Sequence, residues 1–293
     1  LKKGDRRAAW RWDHLEGKWV KVKPDFLFPG LVLLLHASEG GYDPENGWTA
    51  QGSAIIPVDE PGEVPESNDT DGKSGEGEWE TIAEHTDRVV HQINRFLDEA
   101  KLSLEPWKEE LLEAARWHDV GKSHEIFQKA MPEGAPEITL WAKAKQKLKK
   151  YERRGFRHEL ASALAMLAQG MTALSVYLSA AHHGKVRLSI RSLPKEEPPK
   201  GDLSRRYARG IWDGDELPEV GLGGGVVSQK TLLNLAYMEL GENKTTGPSW
   251  LARMLTLRDD PGLGVFRLAF LEALLRVADW RASGVAKTEE GKR

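Results

Sequence analysis

The stretch AARWHDVGKSH, residues 114–124, places a histidine beside an aspartate at the end of a helical run. Adjacent residues on a helix point about 100° apart, so His118 and Asp119 cannot share one apolar stripe. They can converge on one cation if the helix ends at a cavity. Gly121 follows two positions after Asp119, and a glycine there permits a tight turn or a close approach of the backbone. The stretch therefore predicts a metal site at a helix end.

Composition limits the classes of protein to which the chain can belong. Its 293 residues can bury a substantial core, and its net charge of -3 means that nucleic-acid binding would need a local basic patch. It has no cysteine, which excludes disulfides and thiolate chemistry and fits a cytoplasmic protein. The uncharged run 160–181 is rich in Ala and Ser and is interrupted by Gly170, so it predicts two buried helices and no membrane span.

The patterning predicts a mainly α protein with a small β-rich N-terminal segment. Residues 1–57 form that segment, residues 58–80 a flexible acidic linker, and residues 81–293 a helical domain with an irregular, Pro- and Gly-rich excursion at about 194–230. Strands are expected at 18–22, 31–37 and 53–58. Helices are expected at 81–100, 105–118, 137–153, 158–169, 171–182, 230–241, 249–257 and 265–282.

Seven polar residues on five of these helices form a candidate ligand set: His85, His118, Asp119, His158, His182, His183 and Asp279. One histidine in a helix is more often a surface or hydrogen-bonded core residue than a ligand. Five imidazoles and two carboxylates together, however, are enough for two divalent cations, and Asp119 is the natural bridging ligand. A two-metal site suits the hydrolysis of a phosphodiester.

The same residues carry a family resemblance. The segment WHDVGK resembles the signature of the HD superfamily of metal-dependent phosphohydrolases. The later FRHELASA, SAAHHGK and ADWRAS make the order similar to that of the HD nuclease of type I CRISPR interference. The resemblance covers about residues 81–283 and implies an HD-domain helical bundle. The chain starts without methionine, and GLVLLLHASEGGYDPENGW resembles the junction in variants whose nuclease follows the helicase, so we expect a C-terminal portion of such a protein.

The resemblance implies a role for each position. His85, His118, Asp119 and Asp279 would hold one cation, and Asp119, His158, His182 and His183 the other. The cations would be Mn, Fe, Co or Ni, with Zn or Mg as alternatives. Asp119 and Lys122 would be the catalytic residues, with a metal-activated hydroxide as the nucleophile and the Lys122 ammonium on the scissile phosphate. A lysine that only complements the helix dipole is the structural alternative for Lys122.

A basic run precedes His158. Between residues 141 and 157 there are eight Lys or Arg against one acid, and further basic residues follow His183. Such charges either bind a polyanion or form a solvated face. The interleaved Tyr151 and Phe156 could stack on bases or belong to the core. The candidate nucleic-acid-binding residues are Lys143, Lys147, Lys150, Arg153, Arg154, Arg157, Lys185 and Arg187.

We therefore expect a nuclease that cuts single-stranded DNA, supplied by a helicase domain and recruited by a Cascade-type surveillance complex, as the resemblance implies. A cyclic-dinucleotide phosphodiesterase of the related HD type is one alternative, but its Gly-Tyr-Pro triplet is missing after His183. A one-metal nucleotide phosphohydrolase is another, and it would leave His158, His182 and His183 without a role. A scaffold that has lost its metals is the third.

Overall fold

The computed structural model describes residues 9–13, 18–23, 33–36, 39–43, 47–49, 78–101, 103–136, 139–192, 196–202 and 204–289. The chain divides into two units, Leu1–Pro65 and Glu66–Arg293. The architecture is mainly α with short strands, which confirms the predicted fold class. Within the described part of the chain, every helix is too short or too polar to span a bilayer.

The N-terminal unit contains short strands. They are β1 (Ala9–Asp13), β2 (Lys18–Lys21), β3 (Leu34–Leu35), β4 (Gly41–Asp43) and β5 (Gly47–Thr49). Strand β1 lies between β2 and β3 in an antiparallel sheet, and β4 pairs with β5. The strands expected at 18–22 and 31–37 are thus present in shortened form, and the one expected at 53–58 lies outside the described residues.

The second unit is the helical domain. In chain order it contains β6 (Glu80–Thr81), α1 (Ile82–Ala100), α2 (Lys108–Trp117), a 3₁₀ turn (Val120–Ser123), α3 (Glu125–Lys129), β7 (Trp141–Lys143), α4 (His158–Ala168), α5 (Ala173–Ala181), β8 (Tyr207–Ala208), β9 (Ile211–Trp212), β10 (Glu216–Leu217), β11 (Val220–Gly221), β12 (Val227–Ser228), β13 (Thr231–Leu232), a second 3₁₀ turn (Leu235–Met238), β14 (Glu242–Asn243), β15 (Gly247–Pro248), α6 (Trp250–Asp259) and α7 (Gly264–Glu289). The helices predicted at 81–100, 105–118, 158–169, 171–182, 249–257 and 265–282 are confirmed within a few residues, α7 being longer.

Helices α4 and α5 form the centre of the bundle. Residues 158–167 of α4 and 174–181 of α5 are buried on every side, because their many Ala and Ser residues let neighbouring helices approach closely. Helix α4 packs on α5, α5 also packs on α2, and α1 packs on both α2 and α7. The two buried helices predicted from the uncharged run are confirmed.

Helix α1 shows how local sequence fixes an element. Thr81 accepts a hydrogen bond from the Glu84 backbone N–H, and the Glu84 carboxylate accepts one from the Thr81 backbone N–H, which completes a capping box. Its buried positions include Ile82, His85 and Val89, which follow helical spacing. His85 therefore lies on the face that packs into the core.

The prediction of a helix at 137–153 is wrong for its described part. The segment instead forms β7, which pairs with β6, and then an irregular run through Phe156. The Gln128 side chain bonds both backbone groups of Trp141, donating to its carbonyl oxygen and accepting from its N–H. These bonds hold residue 141 extended, and the closely spaced lysines that follow would repel one another on a helix.

The helix predicted at 230–241 is also wrong. Thr231 and Leu232 pair as β13 with β10, and Asn234 caps the 3₁₀ turn by accepting from the Ala236 N–H. The excursion expected at about 194–230 contains no α-helix among its described residues, but it is built of short antiparallel pairs, β8 with β9 and β11 with β12.

Candidate metal centre

The seven candidate ligands converge in the helical domain although they span most of its length. His85 comes from the first turn of α1, and Asp279 from the middle of α7. The others lie at helix ends: His118 and Asp119 after α2, His158 at the start of α4, and His182 and His183 after α5. All are buried except the part-exposed His183. The packing of α1, α2, α4, α5 and α7 thus builds one polar site inside an apolar bundle.

The end of α2 explains how neighbouring residues can share a site. His118 keeps helical angles, whereas Asp119 leaves the helix with φ -106° and ψ 4°. The break turns the Asp119 carboxylate toward the same space as the His118 ring, and Asp119 Oδ2 lies 3.5 Å from His118 Nε2. The chain then continues in the 3₁₀ turn that contains Lys122.

Gly121 allows this turn to rest on α4. A Cβ at Gly121 would lie 2.0 Å from the His158 carbonyl oxygen and 2.7 Å from the Ser162 nitrogen. Ser162 also links the two elements, because its hydroxyl donates to the His118 carbonyl oxygen at 2.6 Å and accepts from the Gly121 N–H at 2.8 Å. Close packing at Gly121 therefore sets the distance between Asp119 and His158.

The ligand atoms form overlapping groups around Asp119, and one of them, His118, Asp119 and His182, links the other two. His85, His118 and Asp279 can present atoms within 4.8 Å of one another, and so can His158, His182 and His183. The two Asp119 oxygens face different groups. Oδ2 lies 3.3 Å from His85 Nε2, and Oδ1 lies 3.2 Å from His158 Nε2.

Two histidines are oriented by the backbone so that one ring nitrogen faces the site. The Nδ1 atom of His118 lies 2.8 Å from the Ala115 carbonyl oxygen, and that of His182 lies 2.6 Å from the Ser179 carbonyl oxygen. A carbonyl oxygen only accepts, so each Nδ1 carries the proton and each Nε2 keeps its lone pair. Both Nε2 atoms are buried and have no hydrogen-bond partner among the described residues. An orphaned, lone-pair-bearing nitrogen in this position fits a metal ligand.

The protonation preferences agree with that orientation. Burial lowers the pKa of His118 to about 4 against the attraction of Asp119. Burial, together with His182 and His158, holds the pKa of His183 well below its usual range. Burial also favours the neutral acid of Asp119, but Lys122 and His118 outweigh it and keep the pKa of Asp119 well below normal. These shifts favour neutral imidazoles at His118 and His183 beside an ionised Asp119, which are the states that divalent transition metals require of such ligands. At His85, by contrast, burial and Lys143 lower the pKa, but the hydrogen bonds with Asp279 and Glu80 outweigh them and raise it.

Lys122 is also part of the site. Its side chain is buried, and its Nζ lies 2.7 Å from Asp119 Oδ2. The buried ammonium therefore stabilises the ionised form of the Asp119 carboxylate.

Glu80 contacts the site but was assigned by the sequence to the linker. It is buried in β6, and its Oε1 lies 3.4 Å from His85 Nδ1, on the side of the ring that faces away from Asp119. Burial disfavours its charge, yet His85, Lys143 and Arg88 lower the pKa of Glu80 to about 2. An ionised carboxylate on this side of the ring favours a proton on His85 Nδ1 and leaves Nε2 toward the site. The only sequence signal was its position directly before the capping threonine.

The basic candidates fall into three sets by exposure. Lys143 and Arg157 are buried, and the Lys143 Nζ lies 2.6 Å from Ser283 Oγ and 3.4 Å from Glu80 Oε2. The part-buried Arg153 pairs with Asp215 and stacks on Trp212. The exposed set contains Lys147, Lys150, Arg154, Lys185 and Arg187, of which Arg187 pairs with Glu272.

The aromatic residues of the basic run also have defined positions. Tyr151 and Phe156 are buried against each other, with ring centroids 5.3 Å apart. Their position in the core removes them as stacking platforms for bases.

Comparison with known proteins gives one match. The family model described as "Cas3, HD domain" matches residues 73–286, which include all seven ligand positions. No curated protein and no solved structure matches the chain. The match covers most of the chain and nearly all of the helical domain. The chain therefore belongs to the Cas3 HD domain family, which comprises metal-dependent HD phosphohydrolases and nucleases of type I CRISPR systems.

Proposed function

We propose that the chain hydrolyses phosphodiester bonds of single-stranded DNA in type I CRISPR interference, at a site that holds two divalent cations. The observation that carries the proposal is the position of Asp119 between two groups of three ligands, with one carboxylate oxygen toward each. A one-metal hydrolase would need only the first group. The second group, His158, His182 and His183, is buried apart from the part-exposed His183 and would then have no function.

The residues present fit the cations. His85, His118, Asp119 and Asp279 would hold one cation, and Asp119, His158, His182 and His183 the other. Mn, Fe, Co or Ni suits this mixture of imidazole and carboxylate best, with Zn or Mg as alternatives. When bound, such cations supply an activated water and neutralise charge on the phosphate.

The chain's own groups prepare the site for an anion. Asp119 holds the Lys122 ammonium by the ion pair at 2.7 Å, and the burial of both groups lowers the local dielectric. A phosphate that enters would meet this fixed positive charge, which stabilises the added negative charge of the transition state. Asp119 and Lys122 are therefore the proposed catalytic residues.

The exposed basic residues are the proposed approach for the strand. Lys147, Lys150 and Arg154 lie on the irregular segment that leads to His158, and Lys185 follows His183. Contacts between such residues and phosphates give affinity without reading sequence. Lys143 and Arg157, which are buried, would act through the protein and not by direct contact with DNA.

The proposed setting is cytoplasmic. The single strand would come from a helicase domain, in the same longer chain or in another subunit, under recruitment by a Cascade-type complex. This part of the proposal rests on the family match.

Cleavage of circular single-stranded DNA tests the proposal. Chelator-stripped protein is reloaded with Mn, Fe, Co, Ni, Zn or Mg, with Asp119→Ala alongside. We expect metal-dependent cutting of the circle that is lost in the variant. Intact circles with every metal would refute the proposal, and hydrolysis of a cyclic dinucleotide in their place would assign the chain to the alternative, a signalling phosphodiesterase.

A further inference from the structure

We propose that the exposed face of α7 is a docking surface for an amphipathic helix of another protein, whose apolar side is flanked by Asp or Glu. The surface consists of Phe266, Phe270, Ala273, Val277 and Trp280 and is called the α7 seam below. It shares no residue with the proposed metal centre.

The α7 seam is apolar and exposed. Phe266 is 87% exposed, and Phe270, Val277 and Trp280 are 45%, 38% and 44% exposed. These residues and the exposed Ala273 are spaced by four, three, four and three positions, which puts them on one line along the helix. Single exposed apolar residues are ordinary, but a continuous line of them over four turns marks an interaction site.

The opposite face of α7 already has its partners. Leu268, Leu271, Leu275, Ala278 and Ala282 are buried in the domain core. Helix α7 is thus apolar on two opposite sides, and the core needs only one of them. The 3.5-residue period of the seam is the one that lets a second helix pack along it by knobs-into-holes contacts, with the small Ala273 at the centre.

The charges beside the seam define the partner. Arg267, Arg276 and Arg281 flank it, and none of them forms an ion pair among the residues that the structure describes. Their guanidinium groups lie over Trp107, Trp280 and Phe96, which keeps them close to the apolar line.

The acids of α7 within residues 264–283 do not offset these charges. Glu272 is buried and accepts from Tyr177 and Arg187, and Asp279 is buried beside His85. Because the charges that α7 itself places beside the seam within residues 264–283 are those of arginine, the seam favours a helix flanked by carboxylates.

The same charges argue against a second copy of this chain as the occupant. In an antiparallel pair of α7 helices, Arg267 of one copy would flank the end of the seam that holds Arg281 in the other. Like charges in such flanking positions oppose pairing. The acidic helix of another protein has no such penalty.

The test uses the full 293-residue chain and two fluorescein-labelled synthetic helical peptides. Both peptides carry Leu at the two positions of each heptad that would face the α7 seam. One has Glu at the flanking positions and the other has Lys. By fluorescence anisotropy we expect the Glu peptide to bind and the Lys peptide to bind at least about tenfold more weakly.

Variants locate the binding. Phe266→Ser/Phe270→Ser should weaken binding of the Glu peptide by more than about tenfold, because central aromatic residues dominate such interfaces. Leu232→Ser is the matched control, since Leu232 is 62% exposed and lies outside the seam on β13, and it should bind as the wild type does. Circular dichroism and metal content verify that each variant is folded.

Three results would overturn the proposal. They are failure of the Glu peptide to bind, equal binding of the two peptides, and dimerisation of the chain in analytical ultracentrifugation that the double variant abolishes. The last result would assign the seam to a second copy. Since no readout is DNA cleavage, failure here would leave the proposed nuclease function unaffected.

Discussion

Gly121→Ala should separate the two halves of the metal centre. The new Cβ would lie 2.0 Å from the His158 carbonyl oxygen, and ordinary contact begins at 3.4 Å, so the groups must move apart by about 1.4 Å. The obstacle is backbone at the start of α4, which cannot turn aside as a side chain can. Because Asp119 Oδ1 lies only 3.2 Å from His158 Nε2, a displacement of this size pulls the Asp119 carboxylate away from the His158 ring.

Gly121→Ala is expected to lower both the stability of the protein and its rate of DNA cleavage. Overpacking of this kind costs about 1–3 kcal/mol in the free energy of unfolding. A misplacement of roughly 1 Å at a reacting centre costs about 10²-fold in rate. We therefore expect a folded variant that binds about one Mn²⁺ less than the wild type under the proposed two-metal arrangement and cuts single-stranded DNA about 10²-fold more slowly.

Isothermal titration with Mn²⁺, urea denaturation and the circular-DNA assay measure the three effects. Gly221→Ala is the matched control, because a Cβ at Gly221 has no atom within 4 Å, and its metal binding and cleavage should equal those of the wild type. Wild-type metal stoichiometry and rate in Gly121→Ala would show that the close approach of the turn to α4 does not position the site.

Two further substitutions test the roles of individual residues. Asp119→Ala should reduce DNA cleavage more than Lys122→Ala, because it removes a ligand shared by both groups, and equal residual rates would count against the bridging role. Glu80→Gln should weaken metal binding by about 10- to 100-fold, since the amide supports the His85 ring less well than a carboxylate does; the exposed Glu78→Gln is its control, and unchanged titration curves would remove Glu80 from the site.

The sequence by itself determined the helical character of the domain and the identities of the candidate ligands. Helical spacing of apolar residues is a local property, and it placed α1, α4, α5 and α7 nearly correctly. The segment WHDVGK, the histidines of α4 and α5 and Asp279 are enough by residue type and order to predict a metal-dependent phosphohydrolase. Its membership of the Cas3 HD family is shown by the match over residues 73–286.

Only the tertiary structure decided how those residues are divided around Asp119. His85 and Asp279 are 194 positions apart, and packing of α1 on α7 brings Nε2 and Oδ1 to 3.1 Å. Glu80 lies at the end of an acidic stretch and becomes a buried carboxylate only because β6 pairs with β7. The same pairing explains why residues 141–143 form a strand where the sequence predicted a helix. The hydrogen bonds, burial and charges that decide these structures come from residues distant in the chain. The local periodicity of apolar residues carries no information about them.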